Sequence, residues 1–264
     1  MTKRARLDVE LVRRGLVTSR IEARLAIESG DVTIDGLPAT RPATLVDSQD
    51  VIALRASPRR YVSRGGDKLD FALARMKVPI AGRRWLDAGA STGGFTDRLL
   101  LSDAASVIAL DVGYGQLDWR LRNDDRVIVM ERTNARNLDP ADLPWLVEGV
   151  VADLSFISLT LVLPALVGVS VSDADYVLLV KPQFEADRSE LPRGGVVTDP
   201  SGWLGAIRRV VDKGEQLGLG LVAATPSHPP GPAGNKEFFV HLRRGAATDP
   251  ERMERAVEEA SGWS

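Results

Sequence analysis

Hydrophobic residues at the start of the chain recur first at helical spacing and then in short alternating runs. Leu7 and Leu11 would share one face of a helix over residues 6–14. Short strands are predicted at residues 32–34 and near residues 50–54, with turn residues between them. The pattern predicts a small α+β module at the N-terminus.

From residue 84 onward, short apolar runs alternate with stretches long enough for a helix. Seven runs are predicted strands: residues 85–88, 107–112, 127–131, 150–154, 176–181, 219–224 and 238–243. Most are spaced by roughly 20–25 residues, which leaves room for crossover helices and predicts a parallel sheet covered on both faces. The last two runs are joined by a proline-rich stretch, which favours an antiparallel hairpin at the end.

These patterns divide the chain into four parts. We expect a small domain over residues 1–58, a linker over residues 59–64, an α/β domain over residues 65–246, and a charged, solvated C-terminal helix or tail over residues 247–264. The longest apolar run, residues 156–171, is shorter than the roughly 18 residues of a membrane span. It is predicted to be a core helix.

The composition is that of a globular protein without thiol chemistry. The chain has 264 residues and no cysteine, which excludes disulfides and cysteine nucleophiles, and its two histidines lack metal-site spacing, so no metal is expected. Without an apolar N-terminal signal, the protein is expected in the cytoplasm and away from membranes. Residues 1–60 hold eleven Lys or Arg against eight Asp or Glu, whereas the remainder is net acidic, which indicates a basic arm on an acidic body.

A glycine-rich turn after the first strand of the sheet is the first candidate site. Glycine lets the backbone approach a ligand, and N–H groups at a helix start bind polar atoms. Asp111 follows the second strand, where a carboxylate can accept ribose hydroxyls. The spacing D-x-G-x-x-x-G-G favours S-adenosylmethionine over a dinucleotide; alternatively, the glycines only permit tight packing. The candidate cofactor-binding residues are Asp87, Gly89, Ala90, Ser91, Gly93, Gly94, Phe95 and Asp111.

Ionisable residues at the ends of later strands are the second candidate site. Asp153 ends the fourth strand and Lys181 ends the fifth, so both would reach the ligand crevice. A structural Lys–Asp pair is the alternative. By sequence pattern alone, Lys68 and Glu237 are expected at the surface. If two lysines did meet here, each would lower the pKa of the other, and a lysine neutral near pH 7 could take a proton from a hydroxyl.

These features together resemble a known family. Lys68, Asp153, Lys181 and Glu237 resemble the K-D-K-E tetrad of the FtsJ/RrmJ-like ribose 2′-O-methyltransferases. Residues 6–36, with R-L-D-x-x-L at their start and G-x-V-x-I-D-G at their end, resemble the S4 RNA-binding domain. The two modules and their V-S-R-G-G-x-K-L junction are similar to the TlyA family across nearly the whole chain.

The resemblance implies a Rossmann-like, class I methyltransferase sheet behind an S4 domain, using S-adenosylmethionine to methylate the 2′-hydroxyl of cytidine in ribosomal RNA of one or both subunits. It implies that Lys181 accepts the proton while Lys68, Asp153 and Glu237 orient it and the ribose. The family linker R-A-W-V reads R-R-Y-V here, with Tyr61 replacing tryptophan. The candidate RNA-binding residues are Arg4, Arg6, Arg14, Arg20 and Arg24.

Two other functions stay open at this stage. A ribosome-assembly factor could keep the fold without catalysis, although the intact tetrad argues against it. A membrane-active toxin is suggested by the name hemolysin that members of this family carry, although no cationic amphipathic helix supports it. One chain holds a complete set of candidate residues, so a monomer is expected.

Overall fold

A computed structural model describes residues 4–17, 20–28, 30–54, 60–186, 196–231 and 235–263. The chain forms two compact units, one ending at Arg59 and the other beginning at Arg60. Residues 55–59, which include the start of the predicted linker, lie outside the described residues.

The smaller unit packs two helices against short strands. These are helices α1 (Leu7–Arg13) and α2 (Arg20–Glu28) and strands β1 (Ala5–Arg6), β2 (Val32–Ile34), β3 (Leu37–Pro38), β4 (Leu45–Val46) and β5 (Ile52–Leu54). β1 pairs antiparallel with β4, and β2 lies between β3 and β5. Leu7 and Leu11 are buried in its core, as their helical spacing predicts. The predicted α+β module is confirmed.

The larger unit is built on a seven-stranded sheet. Its strands are β6 (Arg84–Ala88), β7 (Ser106–Leu110), β8 (Val127–Met130), β9 (Val147–Ala152), β10 (Ser170–Val180), β11 (Leu219–Pro226) and β12 (Phe238–Arg244). The order is β11-β12-β10-β9-β6-β7-β8; β6 to β10 are parallel, and β12 is antiparallel to both of its neighbours. All seven predicted strands and the final hairpin are confirmed. The strand order reverses between β6 and β9, where open α/β sheets bind ligands.

Helices cover both faces of this sheet. They are α3 (Arg64–Met76), α4 (Gly94–Leu100), α5 (Trp119–Arg122), α6 (Leu159–Gly168), α7 (Pro182–Glu185), α8 (Pro200–Gln216) and α9 (Glu251–Ser261). Neighbouring strand residues such as Trp85 and Leu86 point to opposite faces, so the core divides in two. α3 and α4 cover one half, and α6, α8 and α9 cover the other.

Two expectations about helices need correction. The apolar run 156–171 does contain the predicted core helix, α6, but the helix begins only at Leu159 and ends at Gly168, and Phe156 before it is exposed. The C-terminal helix is not simply solvated, because Met253 and Ala256 belong to a buried stripe at helical spacing that packs on the sheet.

Candidate active site

Two lysine–carboxylate ion pairs lie at the carboxyl edge of the parallel strands. Asp153 follows β9, and its Oδ1 lies 2.6 Å from Nζ of Lys181, which follows β10. Nζ of Lys68, on α3, donates to Oε2 of Glu237 at 2.6 Å. The start of β12 pairs with the end of β10, which brings Glu237 to the same edge. Lys68 and Glu237 are both buried, so their expected surface placement is wrong.

The carboxylates favour the ammonium form of Lys181. Burial alone would lower the pKa of Lys181, but the charges of Asp153 and Glu237 outweigh it and raise the pKa above its ordinary value. Burial likewise opposes ionisation of Asp153, but Lys181 and Lys68 outweigh it and lower the pKa of that carboxyl. In the free protein the ammonium form of Lys181 is therefore favoured over the neutral form expected near pH 7, because a carboxylate oxygen of Asp153 lies 2.6 Å from its Nζ.

A cavity of about 510 Å³ opens beside Asp153. Of the predicted cofactor-binding residues, Gly89, Ser91 and Asp111 line it. Gly89 has a φ of +88°, and a Cβ there would lie 2.5 Å from the carbonyl oxygen of Asp153. This position therefore requires glycine, both for the turn and for the close approach of two strand ends.

Asp111 is held rigidly at the wall of this cavity. Its Oδ2 accepts a hydrogen bond from the backbone N–H of Ser91 at 2.8 Å, and its Oδ1 accepts one from Gly113 at 2.7 Å. A carboxylate has about four lone-pair sites, so both oxygens keep capacity for another donor. This geometry suits recognition of two neighbouring ribose hydroxyls.

The other predicted cofactor-binding residues pack inside the protein instead. They are Asp87, Ala90, Gly93, Gly94 and Phe95, and none lines the cavity. A Cβ at Gly93 would collide with Leu121, and one at Gly94 would collide with Ser63. The Phe95 ring lies 5.9 Å from that of Phe239 in the core. The packing alternative is favoured for Gly93 and Gly94, because their α-carbons face neighbouring segments at close range.

Asp87 is a fully buried carboxyl beneath the start of α4. Its Oδ2 accepts from the backbone N–H of Thr96 at 2.9 Å and from Oγ1 of Thr96 at 2.7 Å. Its Oδ1 has no hydrogen-bond partner in the part of the chain that the structure describes. Burial raises the pKa of Asp87 to about 7, against the opposing effect of the Thr96 bonds. Through these bonds Asp87 stabilises the glycine-rich turn and the start of α4.

Five polar or aromatic residues that the sequence patterns did not single out also line the cavity. They are Gln116, Thr133, Asn134, Ser155 and Phe156. All five lie in loops after β7, β8 or β9, so the rule that strand ends line the crevice could have found them. Phe156 is 91% exposed, has a φ of +66°, and its ring lies 5.3 Å from that of Phe184.

Four of the five candidate RNA-binding arginines lie at the surface of the smaller unit. Arg4 and Arg24 are exposed. The Arg6 and Arg20 side chains are 47% and 59% exposed, and each lies 2.9 Å from the buried carboxylate of Asp8. Asp8 fixes one edge of these two guanidinium groups and leaves the rest open to an anion.

The fifth arginine, Arg14, is structural. Its Nε donates to Oε1 of Glu10 at 2.7 Å, and its Nη1 and Nη2 donate to the carbonyl oxygens of Asp50 and Asp47 at 2.7 and 2.8 Å. Three directed bonds within the unit leave Arg14 poorly placed to bind a phosphate. We therefore remove it from the RNA-binding set.

Neither a metal-binding cluster nor a membrane-spanning helix occurs among the described residues. They contain no group of three or more His, Cys, Asp or Glu side chains arranged to hold a metal ion. No helix among them is long and apolar enough to cross a bilayer.

Comparison with known proteins gives two family matches. The S4 domain matches residues 5–52, and the FtsJ-like methyltransferase family matches residues 61–244. The 16S/23S rRNA (cytidine-2′-O)-methyltransferase TlyA of Mycobacterium tuberculosis is 52% identical over 98% of this chain and 97% of its own. Hemolysin A of Brachyspira hyodysenteriae is 35% identical over 90% of this chain and 99% of its own. A solved structure of a hemolysin-named protein from Streptococcus thermophilus has a TM-score of 0.77 at 36% identity, covering 98% of this chain and 96% of that one.

Proposed function

Because the chain belongs to the FtsJ-like methyltransferase family, with an S4 domain before the catalytic unit, we propose that it transfers a methyl group from S-adenosylmethionine to the 2′-hydroxyl of a cytidine in ribosomal RNA. The observation that carries this proposal is the pair of Lys–carboxylate bridges at the carboxyl edge of the sheet, of which Asp153 lines the cavity. The relative from Mycobacterium tuberculosis, whose name states this reaction, is similar over 98% of the chain.

The residues around the cavity fit the cofactor. Asp111 would hold the two ribose hydroxyls of S-adenosylmethionine, and the main chain at Gly89 and Ser91 would lie against the cofactor. The volume of about 510 Å³ is within the usual range of ligand pockets. Bound S-adenosylmethionine supplies an electrophilic methyl group on a positively charged sulfur.

The tetrad would handle the proton of the attacking hydroxyl. In the free protein Lys181 carries its proton, so it can donate a hydrogen bond to the ribose oxygen and hold it in place. Lys181 would release this proton to solvent when a positively charged sulfur lies close to Nζ, because that charge disfavours the ammonium form. The neutral amine would then accept the proton of the 2′-hydroxyl as the hydroxyl oxygen attacks the methyl group. Asp153 and Ser155 fix Nζ of Lys181 at 2.6 and 2.9 Å. Lys68 and Glu237 would orient the ribose.

RNA would be held by both units. In the smaller unit we propose Arg4, Arg6, Arg20 and Arg24 as phosphate contacts, since arginine forms directed bonds to phosphate. In the larger unit the exposed Phe156 ring at the cavity rim offers a stacking surface for the base of the target nucleotide. One chain supplies the cavity and both ion pairs, so we propose that a monomer acts on ribosomal subunits in the cytoplasm.

The decisive experiment is transfer of labelled methyl from S-adenosylmethionine to purified small and large ribosomal subunits. The wild type is compared with Lys181→Ala and with the control Lys213→Ala, on α8, whose Nζ contacts Gln216 at 3.5 Å. Label should appear on ribose with the wild type and the control, and fall ~10²-fold or more with Lys181→Ala, with RNA binding nearly unchanged. Because the pKa of Lys181 is raised, the wild-type rate should still increase with pH between about 7 and 9.

The other outcomes are equally informative. Cofactor binding without transfer to either subunit would overturn the proposed reaction and favour a non-catalytic assembly factor. Equal losses of RNA binding and rate in Lys181→Ala would overturn the proton-acceptor role. Release of dye from liposomes by the purified protein would favour the lytic activity that the hemolysin names suggest.

A further inference from the structure

Glu185 is a buried carboxylate close to the tetrad that the proposed reaction does not use. It is 7% exposed and ends α7, the single turn that begins directly after Lys181. Burial raises the pKa of Glu185 above its ordinary value, although hydrogen bonds oppose this. A carboxylate in such a place is costly to bury and therefore needs partners.

The side chain of Glu185 bonds to the segment between β9 and α6, which also carries Asp153. Its Oε1 accepts from the backbone N–H of Leu159 at 2.8 Å, and its Oε2 accepts from the hydroxyl of Ser158. Ser158 already caps α6 by accepting from the N–H of Thr160 at 3.1 Å. The start of α6 is therefore capped without Glu185. The Glu185 carboxylate instead connects the segment after β9 to the segment after β10.

The loop between β9 and α6 is consequently held at both ends by the turn after β10. At its start, Asp153 and Ser155 contact Nζ of Lys181. At its end, Ser158 and Leu159 bond to Glu185. Between these two attachments the chain must fix Phe156, whose φ of +66° is unfavourable for a bulky side chain.

We infer that Glu185 is a positioning residue for methyl transfer. It holds the loop between β9 and α6, which carries Phe156, against the turn α7 after Lys181. In this way it sets where the target nucleotide lies relative to Nζ of Lys181. This inference rests on the proposed function. The carbonyl of Glu185 also accepts from Nη1 of Arg209 on α8 at 3.0 Å, which anchors the turn to the body of the unit. A misplacement of ~1 Å at a catalytic group can lower the rate ~10²-fold.

The test compares Glu185→Ala and Glu185→Gln with a matched control, Asp175→Asn. Asp175 is also a buried carboxylate, bonded to Arg83 and His241, but it lies six residues before Lys181 on β10, a distance of about 20 Å along the strand. Methyl transfer to ribosomal subunits gives kcat and KM, calorimetry gives the affinity for S-adenosylmethionine, and hydrogen exchange followed by mass spectrometry reports on residues 154–161.

Glu185→Ala should lower kcat by ~30–100-fold, leave cofactor affinity within about twofold, and speed exchange in residues 154–161. Glu185→Gln keeps an oxygen for the Leu159 N–H and should recover kcat to within about fivefold. Asp175→Asn should lower the unfolding midpoint but keep kcat of the folded protein within about twofold. The expected changes of about twofold and fivefold are much smaller than the ~10²-fold loss that a misplaced catalytic group can cause.

Two results would overturn the inference. One is a kcat for Glu185→Ala equal to that of the wild type. The other is a loss of kcat in Asp175→Asn as large as in Glu185→Ala, which would make the effect one of general stability. A wild type that transfers no methyl group would instead refute the proposed function, and the exchange experiment would still decide whether Glu185 holds the loop.

Discussion

Replacing Asp87 with asparagine would remove a buried group that takes up a proton on folding. The pKa of Asp87 is about 7 in the folded protein, against an ordinary value of 3.8. The difference of about 3 units corresponds to about 4 kcal/mol. Between these two pKa values the folded protein binds more protons than the unfolded chain, so the free energy of unfolding falls as pH rises through this window, by up to about 1.4 kcal/mol per unit.

Asparagine keeps an oxygen for the two bonds from Thr96 but cannot ionise. Its amide N–H₂ would replace the Oδ1 that lacks a partner among the described residues, at a cost of about 1–3 kcal/mol that does not change with pH. Relative to the wild type, the stability of Asp87→Asn should therefore increase by about 2 kcal/mol between pH 5 and pH 7 and level off above pH 8.

Urea unfolding without cofactor, followed by tryptophan fluorescence, measures this difference. All five tryptophans lie at or after residue 85, so the signal reports on the larger unit. The control is Asp124→Asn, because hydrogen bonds from Arg126 lower the pKa of Asp124 and keep it ionised throughout this range. The difference in the free energy of unfolding between Asp124→Asn and the wild type should not change with pH. Parallel pH curves for Asp87→Asn and the wild type would refute the assignment of a proton to Asp87 near neutral pH.

Three further predictions concern binding. Asp111→Ala should weaken S-adenosylmethionine binding about tenfold or more by calorimetry, with RNA affinity unchanged, and an unaltered cofactor affinity would place the ribose elsewhere. Phe156→Ala should reduce kcat/KM for ribosomal subunits about tenfold or more through lost stacking while sparing cofactor affinity; equal kinetics would remove the base-stacking role. Arg24→Ala should weaken RNA binding and reduce its salt dependence by about one ion. Arg14→Ala should instead lower the unfolding midpoint of the smaller unit. The reverse pattern would contradict the assignment of Arg24 to RNA binding and of Arg14 to the fold.

Residue patterns predict the sheet because its buried strands are short apolar runs, and charged residues mark the ends of several of them. Asp111, Asp153 and Lys181 follow such runs, so their meeting at one edge is a consequence of parallel pairing. The buried face of α9 is also visible in the sequence, because Met253, Ala256 and their apolar neighbours recur at helical spacing between the charged residues.

Other features depend on contacts between distant segments, which no local pattern contains. Lys68 precedes the sheet in a polar stretch, and only its packing beside β12 makes it buried and paired with Glu237. The protonation of Lys181 follows from the carboxylates around it rather than from a second lysine. The glycine spacing predicts a ligand contact at Gly93, whereas its α-carbon faces Leu121, which is 28 positions further along the chain.

The bond between Lys68 and Glu237 joins residues 169 positions apart. The proposed cofactor cavity, in contrast, is lined mainly by segments that follow β6, β7 and β8, which are consecutive in the chain, together with the loop after β9. These segments are synthesised before β12, so a chain released before β12 lacks Glu237, the carboxylate that pairs with Lys68. Under the proposed function, methyl transfer would therefore depend on completion of the chain, because an incomplete copy would lack the Glu237 partner of Lys68.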